Sequence, residues 1–199
     1  MGDSGRRGVI MDVAEAHLAR QGFMGVSLEA IAGEVGISKP ALYYHFSGGK
    51  EQLFVEIAHR SLDRILAGLE GSMGRAGSGA EKLSEAARWL MEEGARGHPV
   101  NEMRDVARFS SEEHHGALAE GFCRSLYGPI HGAIASAVAS GEFRDGDPDF
   151  MTWAFLGLVS GMLDVRGMPS EGSGKGSAQI ADEMVGVFLE GVLAHGGDR

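Results

Sequence analysis

Apolar residues recur along this chain every three to four positions, the spacing of one helix face, and the alternation typical of strands is nearly absent. The pattern predicts helices over about 6–21, 28–34, 39–45, 51–69, 80–96, 112–140, 148–165 and 178–194, with a further short helix beginning at Pro99. Pro129 predicts a kink inside one of them, because proline cannot donate a helical hydrogen bond. We therefore expect an all-α protein of about nine helices.

Two of the predicted helices are short and adjacent. Ser27 and Ser38 are suitable N-caps for them, Gly36 ends the first, and Pro40 occupies the first turn of the second, where a missing N–H costs little. Two short helices braced by a third form a helix-turn-helix, in which the second helix enters the major groove of DNA.

The second short helix has two different sides. At 100° per residue, Leu42 and Phe46 share a face that packs inward, Tyr43 and Tyr44 lie on a flank and on the opposite side, and Lys39 lies near the N-terminal tip. Tyrosine hydroxyls, a lysine and a helix N-terminus suit phosphate oxygens. Helix geometry alone leaves open a second interpretation, in which both tyrosines are half-buried aromatic residues of a small bundle.

Charge is distributed unevenly along the chain. The net charge is −10, yet residues 1–50 hold as many cations as anions, so residues 51–199 carry the whole excess. An acidic body repels phosphate, and DNA therefore has to approach the N-terminal end. The only cysteine, Cys123, excludes an internal disulfide framework. The longest uncharged apolar run, 150–163, is too short to span a bilayer, and we expect a cytoplasmic protein without a membrane partner.

Constrained positions follow one another in order through residues 6–54. They are Ile10-Met11, Val13-Ala14, Gly22-Phe23, Val26-Ser27, Ile31-Ala32, Val35-Gly36-Ile37-Ser38, Leu42-Tyr43-Tyr44-His45-Phe46, Lys50-Glu51 and Leu53-Phe54. With these residues the segment closely resembles the N-terminal domain of the tetracycline-repressor (TetR) family. The resemblance covers about a quarter of the chain.

The resemblance implies which residues meet double-stranded operator DNA. They are Ser27, Lys39, Pro40, Ala41, Tyr43, Tyr44, His45 and Lys50. Two departures from the family pattern matter. Three residues, Ser47-Gly48-Gly49, stand where the family usually has two, which displaces Lys50 and puts its phosphate contact in doubt; and His17 occupies a normally apolar position, where we expect a packed histidine with a local partner.

The resemblance further implies a helix-turn-helix domain over 1–50 and a helical ligand-binding and dimerisation domain over 51–199. The segment 148–165 is apolar on nearly all sides and with 178–194 is expected to form the homodimer interface, including Phe155 and Phe188. A pocket for a small-molecule effector is expected among methionine and aromatic side chains, each of which could equally be ordinary core. The candidates are Trp89, Met103, Phe109, Phe122, Tyr127 and Met162.

No catalytic constellation is visible. Adjacent His114 and His115 point about 100° apart on a helix, which disfavours a metal site with the neighbouring glutamates or His131. We therefore expect no enzyme, cofactor or metal, but a dimeric regulator, in the first place a repressor that an apolar or amphipathic ligand releases from its operator. The alternative is a helical enzyme or small-molecule carrier whose N-terminal helices bind no DNA.

Overall fold

The computed structural model describes residues 3–94, 106, 108, 110–165 and 175–193. Its helices are α1 (Asp3–Gly25), α2 (Leu28–Val35), α3 (Lys39–His45), α4 (Gly49–Met73), α5 (Gly79–Glu93), α6 (Glu112–Phe122), a π-helical segment (Cys123–Tyr127), α7 (Gly128–Ala139), α8 (Pro148–Val165) and α9 (Ser177–Val192). Within these ranges no strand occurs beyond one isolated bridge between Phe143 and Leu193, which confirms the all-α class. The helix expected at Pro99 and the candidates Met103 and Phe109 lie outside the described residues.

The chain divides into two compact units. The first consists of Met1–Leu62 with Gly97–Gly121, and the second of Asp63–Arg96 with Phe122–Arg199. The expected boundary between a DNA-binding domain ending at residue 50 and a ligand-binding domain beginning at residue 51 stays a prediction. The first compact unit extends past that point because its core continues along α4.

The core of the first unit joins α1, α2, α3 and the first half of α4. Fully buried side chains from all four elements meet there, among them Ile10, Ile31, Leu42, Phe46 and Phe54. The predicted end of the first helix at Gly22 is present as a break, since Gly22 has φ 64° and ψ 169°, a conformation that glycine adopts without steric cost. The four elements are thus packed on one apolar centre.

The second unit is built around α5, α7, α8 and α9. Ser78 and Glu81 form a capping box at the start of α5, and Arg88 of the same helix pairs with Asp182 of α9, Nε to Oδ1, at 2.7 Å. On α8 and α9, Phe155 and Phe188 are buried and meet edge to face with ring centroids 5.4 Å apart. Among the described residues, no helix has the length and apolar character needed to cross a membrane.

The irregularity expected at Pro129 takes a specific form. Immediately before it, Cys123–Tyr127 is π-helical, and the Gly128 N–H donates to the carbonyl of Cys123, five residues back instead of four. The wider turn accommodates a proline ring that would otherwise press on the carbonyl of Ser125. The predicted long helix is therefore present as α6, the π-helical segment and α7.

Candidate nucleic-acid interface

The turn between α2 and α3 has the geometry that its sequence predicts. Ser27 Oγ accepts the Glu29 N–H at 3.2 Å, and Ser38 Oγ accepts the Ala41 N–H at 3.3 Å, so each short helix has a side-chain N-cap. Gly36, with φ 73°, donates its N–H to the Gly33 carbonyl and ends α2 in the left-handed conformation that favours glycine. The backbone of the helix-turn-helix is held by local hydrogen bonds.

The two sides of α3 are separated as expected. Leu42 and Phe46 are fully buried, whereas Tyr43 is 42% exposed and Tyr44 is 79% exposed. Lys39 and Pro40 at the tip are exposed as well. An exposure of 79% does not fit the interpretation of Tyr44 as a half-buried bundle residue, so α3 presents an aromatic and basic surface to solvent.

Glycine absorbs the extra residue between α3 and α4. Gly49 has φ 65°, and the Gly48 N–H donates to Gln52 Oε1 at 2.8 Å, which caps α4. The ring of Tyr43 lies against Gly49, where a Cβ would come within 3.2 Å of the ring. Side-chain bulk at Gly49 would therefore disturb both the turn and the placement of Tyr43.

Lys50 lies beside an aromatic ring. Its Nζ is 4.7 Å from the centroid of the Phe23 ring, and partial burial lowers the pKa of the amine. The expected role of Lys50 stays a prediction.

Glu51 joins the first turn of α4 to the start of α6. Its Oε1 accepts the Ser111 N–H at 2.7 Å and contacts His114 Nδ1 at 2.8 Å. These bonds, the Ser111 amide first and His114 next, lower the pKa of Glu51 to about 2. Sequence analysis considered His114 only as a metal ligand and missed this contact, because His114 and Glu51 lie 63 positions apart in the chain.

The face of α1 that meets α4 is braced by ion pairs that sequence analysis also missed. Arg60 of α4 pairs with Asp12 at 2.7 Å and with Glu15, and Arg7 pairs with Glu56 at 2.5 Å. The partners are separated by more than 40 positions. Because cations and anions are mixed along the chain, no local sequence pattern indicates which of them form ion pairs. They fix α1 on the first half of α4, next to the turn that carries Lys50.

His17 has the local partner expected of a packed histidine. It is buried, its Nε2 lies 2.7 Å from Glu34 Oε2 at the end of α2, and its Nδ1 has no partner among the described residues. The contact ties α1 to α2. Within the described ranges no cluster of three or more histidine, cysteine or acidic residues has a geometry that could hold a metal ion.

The candidate effector residues make contacts in different parts of the second unit. Phe122 and Tyr127 both contact Trp153 of α8, with ring centroids 6.0 Å and 5.1 Å apart, and the Tyr127 hydroxyl donates to Asp149. Trp89 instead packs on α4 at Gly68, where a Cβ would lie 2.0 Å from the indole. Met162 is half-buried on α8. The structure thus brings two of the candidates together around Trp153, which sequence analysis had not placed with them.

One side of α8 and α9 is apolar and exposed. Phe150 is 71% exposed, Trp153 55% and Val187 68%, and a Cβ added at Gly157 would meet nothing within 4 Å. We call these four residues the outward face. Phe155 and Phe188, expected between two copies of the chain, are buried against each other within one unit instead.

Known proteins share both the N-terminal sequence and the fold. Residues 10–57 match the family described as bacterial regulatory proteins, tetR family. The HTH-type transcriptional regulator LmrA of Bacillus subtilis is 42% identical over 64 residues, which are 32% of this chain and 33% of LmrA, so the match spans about a third of that relative.

Two solved structures share the fold along nearly their whole length. AibR in complex with isovaleryl coenzyme A and operator DNA has a TM-score of 0.77 at 23% identity, covering 92% of this chain and 97% of AibR. FadR of Bacillus subtilis in complex with stearoyl-CoA has a TM-score of 0.77 at 17% identity, covering 94% of this chain and 99% of FadR. The matched residues 10–57 contain the whole α2–turn–α3 arrangement with its exposed tyrosines, so the N-terminal part of this chain is similar to the tetR family of bacterial regulatory proteins.

Proposed function

We propose that the protein is a sequence-specific DNA-binding transcriptional repressor that acts as a homodimer and is released from its operator by a small molecule. The observation that carries the proposal is the surface of α3, where Tyr43, Tyr44 and Lys39 are exposed while Leu42 and Phe46 anchor the helix from behind. A short helix held in this way can enter a major groove without losing its own packing. The protein acts by binding and works in the cytoplasm, where the DNA is.

The polar groups around α3 are arranged for phosphate and base contacts. Ser27 Oγ already accepts the Glu29 N–H, so its hydrogen is left to donate to a phosphate oxygen. Lys39, Pro40 and Ala41 present the N-terminus of α3, and the small side chain of Ala41 permits a close approach to base edges. His45, whose ring meets Tyr44 edge to face at 5.5 Å, completes the proposed DNA surface with Lys50.

Binding to duplexes selected from a random pool tests the DNA proposal. Lys39→Ala is expected to weaken operator binding and to lower the salt slope by about one, because one phosphate contact is lost. Lys82→Ala on α5, in the second unit, removes the same charge and is the matched control. Selection of no preferred duplex by the wild-type protein would contradict the proposal.

The outward face supports the homodimer. Large exposed apolar side chains such as Phe150, Trp153 and Val187 mark interaction surfaces, and a second copy of the chain offers the same face across a two-fold axis. Trp153→Glu and Val187→Glu are expected to yield a species of about 21.0 kDa in sedimentation, the mass of one chain. A wild-type protein that sediments at that mass at micromolar concentration would rule out the dimer.

For the effector we propose an apolar molecule that carries a neutral carbonyl group, with acyl thioesters as the first class to test. Two proteins of the same fold, AibR and FadR, are described with isovaleryl coenzyme A and stearoyl-CoA. Half-buried Phe122 and Tyr127 offer aromatic surface for an apolar body, with Trp89 and Met162 as further candidates. Release of the selected duplex by thioesters, but not by coenzyme A alone, is the expected result.

A further inference from the structure

One buried hydroxyl of the second unit lacks the hydrogen bond that comparable groups have. Ser72 Oγ donates to the Leu69 carbonyl at 3.3 Å, Thr152 Oγ1 to the Pro148 carbonyl at 2.7 Å, and Ser61 Oγ lies 3.5 Å from Glu15. Ser125 is 0% exposed, and its Oγ has no partner among the described residues. A buried polar group without a partner costs free energy, so this exception calls for a physical reason.

The backbone around Ser125 is unusual as well. Ser125 lies in the π-helical segment, and the residue four positions later is Pro129, which has no N–H to offer the Ser125 carbonyl. The regular helical donor to that carbonyl is therefore missing next to the unpartnered hydroxyl. Single π-helical turns inside α-helices occur frequently at functional sites.

The buried neighbours of Ser125 on its own helical stretch indicate which chemistry could satisfy this hydroxyl. The neighbouring buried positions of the same helical stretch, Leu126, Ile130 and Ala133, are apolar. A hydroxyl in apolar surroundings can bind a neutral oxygen, whereas burying an isolated carboxylate or ammonium beside it would cost far more. Half-buried Phe122 and Tyr127 flank Ser125 along the chain and can contact an apolar body.

We infer that Ser125 is the polar anchor of the effector site, and that its hydroxyl donates a hydrogen bond to the neutral carbonyl oxygen of the effector. The inference rests on the proposed function and adds a specific residue and a ligand chemistry to it. A hydroxyl without a partner among the described residues can bind a ligand without first breaking a hydrogen bond to any of them. Specificity follows, since a ligand that lacks the carbonyl leaves the hydroxyl unsatisfied.

Thermal unfolding of the free protein provides the first test. Ser125→Ala is expected to leave Tm unchanged or to raise it, because the variant loses an unsatisfied group. Thr152→Val is the matched control, and its Tm is expected to fall by about 2–4 °C, because its hydroxyl donates to the Pro148 carbonyl. A fall of the same size in Ser125→Ala would show that the hydroxyl has a structural partner, and would overturn the inference.

Release of the selected duplex provides the second test. The probes are isovaleryl-CoA and its thioether analogue 3-methylbutyl-CoA, which lacks the carbonyl oxygen, with coenzyme A as the blank. Wild type and Thr152→Val are expected to respond to the thioester at about tenfold lower concentration than to the thioether. Ser125→Ala is expected to respond to both at the same concentration.

The outcomes separate this inference from the proposed function. If Ser125→Ala keeps the wild-type preference for the thioester, the assignment of Ser125 is wrong and the regulator stands. If the wild type binds its duplex but neither probe releases it, both the inference and the proposed effector class fail, while DNA binding stands. If the wild type selects no duplex, the proposed function itself fails.

Discussion

The α2–turn–α3 region and the helical stretch from α6 to α7 each contain a break in regular helix, and the protein treats the two breaks differently. In the first region, Ser27, Gly36 and Ser38 satisfy the free backbone groups within two to four residues. In the second, the register widens before Pro129, and the Ser125 hydroxyl stays without a partner among the described residues. Under the proposed function, the turn is rigid before it meets DNA, whereas the effector site keeps an unsatisfied group for its ligand.

The sharpest test of this comparison asks whether the first region is held by its caps alone. Phe46 is fully buried at the end of α3, with the Arg7 guanidinium 4.5 Å from its ring centroid. Phe46→Ala is expected to cost about 3–5 kcal/mol of unfolding free energy, because a large cavity is left in the core. Denaturant unfolding measures the loss, and a cost below about 1 kcal/mol would show that local hydrogen bonds suffice to hold α3.

The second prediction separates stability from recognition on the same helix. Tyr44 is 79% exposed, so Tyr44→Ala is expected to change the unfolding free energy by no more than about 0.5 kcal/mol. Operator affinity is expected to fall by about tenfold, the scale of a lost charge-assisted hydrogen bond to phosphate. Fluorescence anisotropy with the selected duplex measures this change, and unchanged affinity would remove Tyr44 from the DNA surface.

The third prediction concerns the carboxylate that links the starts of α4 and α6. The pKa of Glu51 is lowered from 4.5 to about 2 in the folded protein, so its stabilising contribution is present above pH 4.5 and is lost as the pH falls towards 2. The Tm advantage of wild type over Glu51→Gln is therefore expected to shrink across that window. Glu29→Gln is the control, because that carboxylate is exposed in the first turn of α2; a pH-independent difference for Glu51→Gln would contradict the assigned bonds.

The smallest expected effect is at His17. His17→Leu removes the contact with Glu34 but also removes a buried Nδ1 that has no described partner, so the two terms oppose each other. The net change in unfolding free energy is expected to stay within about 1 kcal/mol. A loss of several kcal/mol in denaturant unfolding would show that the first region also depends on a buried polar contact, and would weaken the comparison with Ser125.

Much of the first unit could be predicted from the sequence because its signals are local. Ser27, Gly36 and Ser38 mark helix ends through hydrogen bonds to near neighbours, and the four-residue spacing of Leu42 and Phe46 defines a buried face. The candidate effector residues could not be sorted in the same way. Whether Trp89 meets Gly68 or Trp153 meets Tyr127 depends on how distant helices pack, which helical spacing does not encode.

By itself, the sequence determined the all-α class, the helix-turn-helix between Ser27 and Phe46, and the buried face of Leu42 and Phe46. The tertiary structure alone decided that Glu51 binds Ser111 and His114, that Arg60 bridges to α1, and that Ser125 is buried without a described partner. The physical reason is the distance along the chain between the residues that interact. Caps and helix faces arise from interactions within one or two turns, whereas ion pairs and unsatisfied buried groups depend on which distant segment packs alongside.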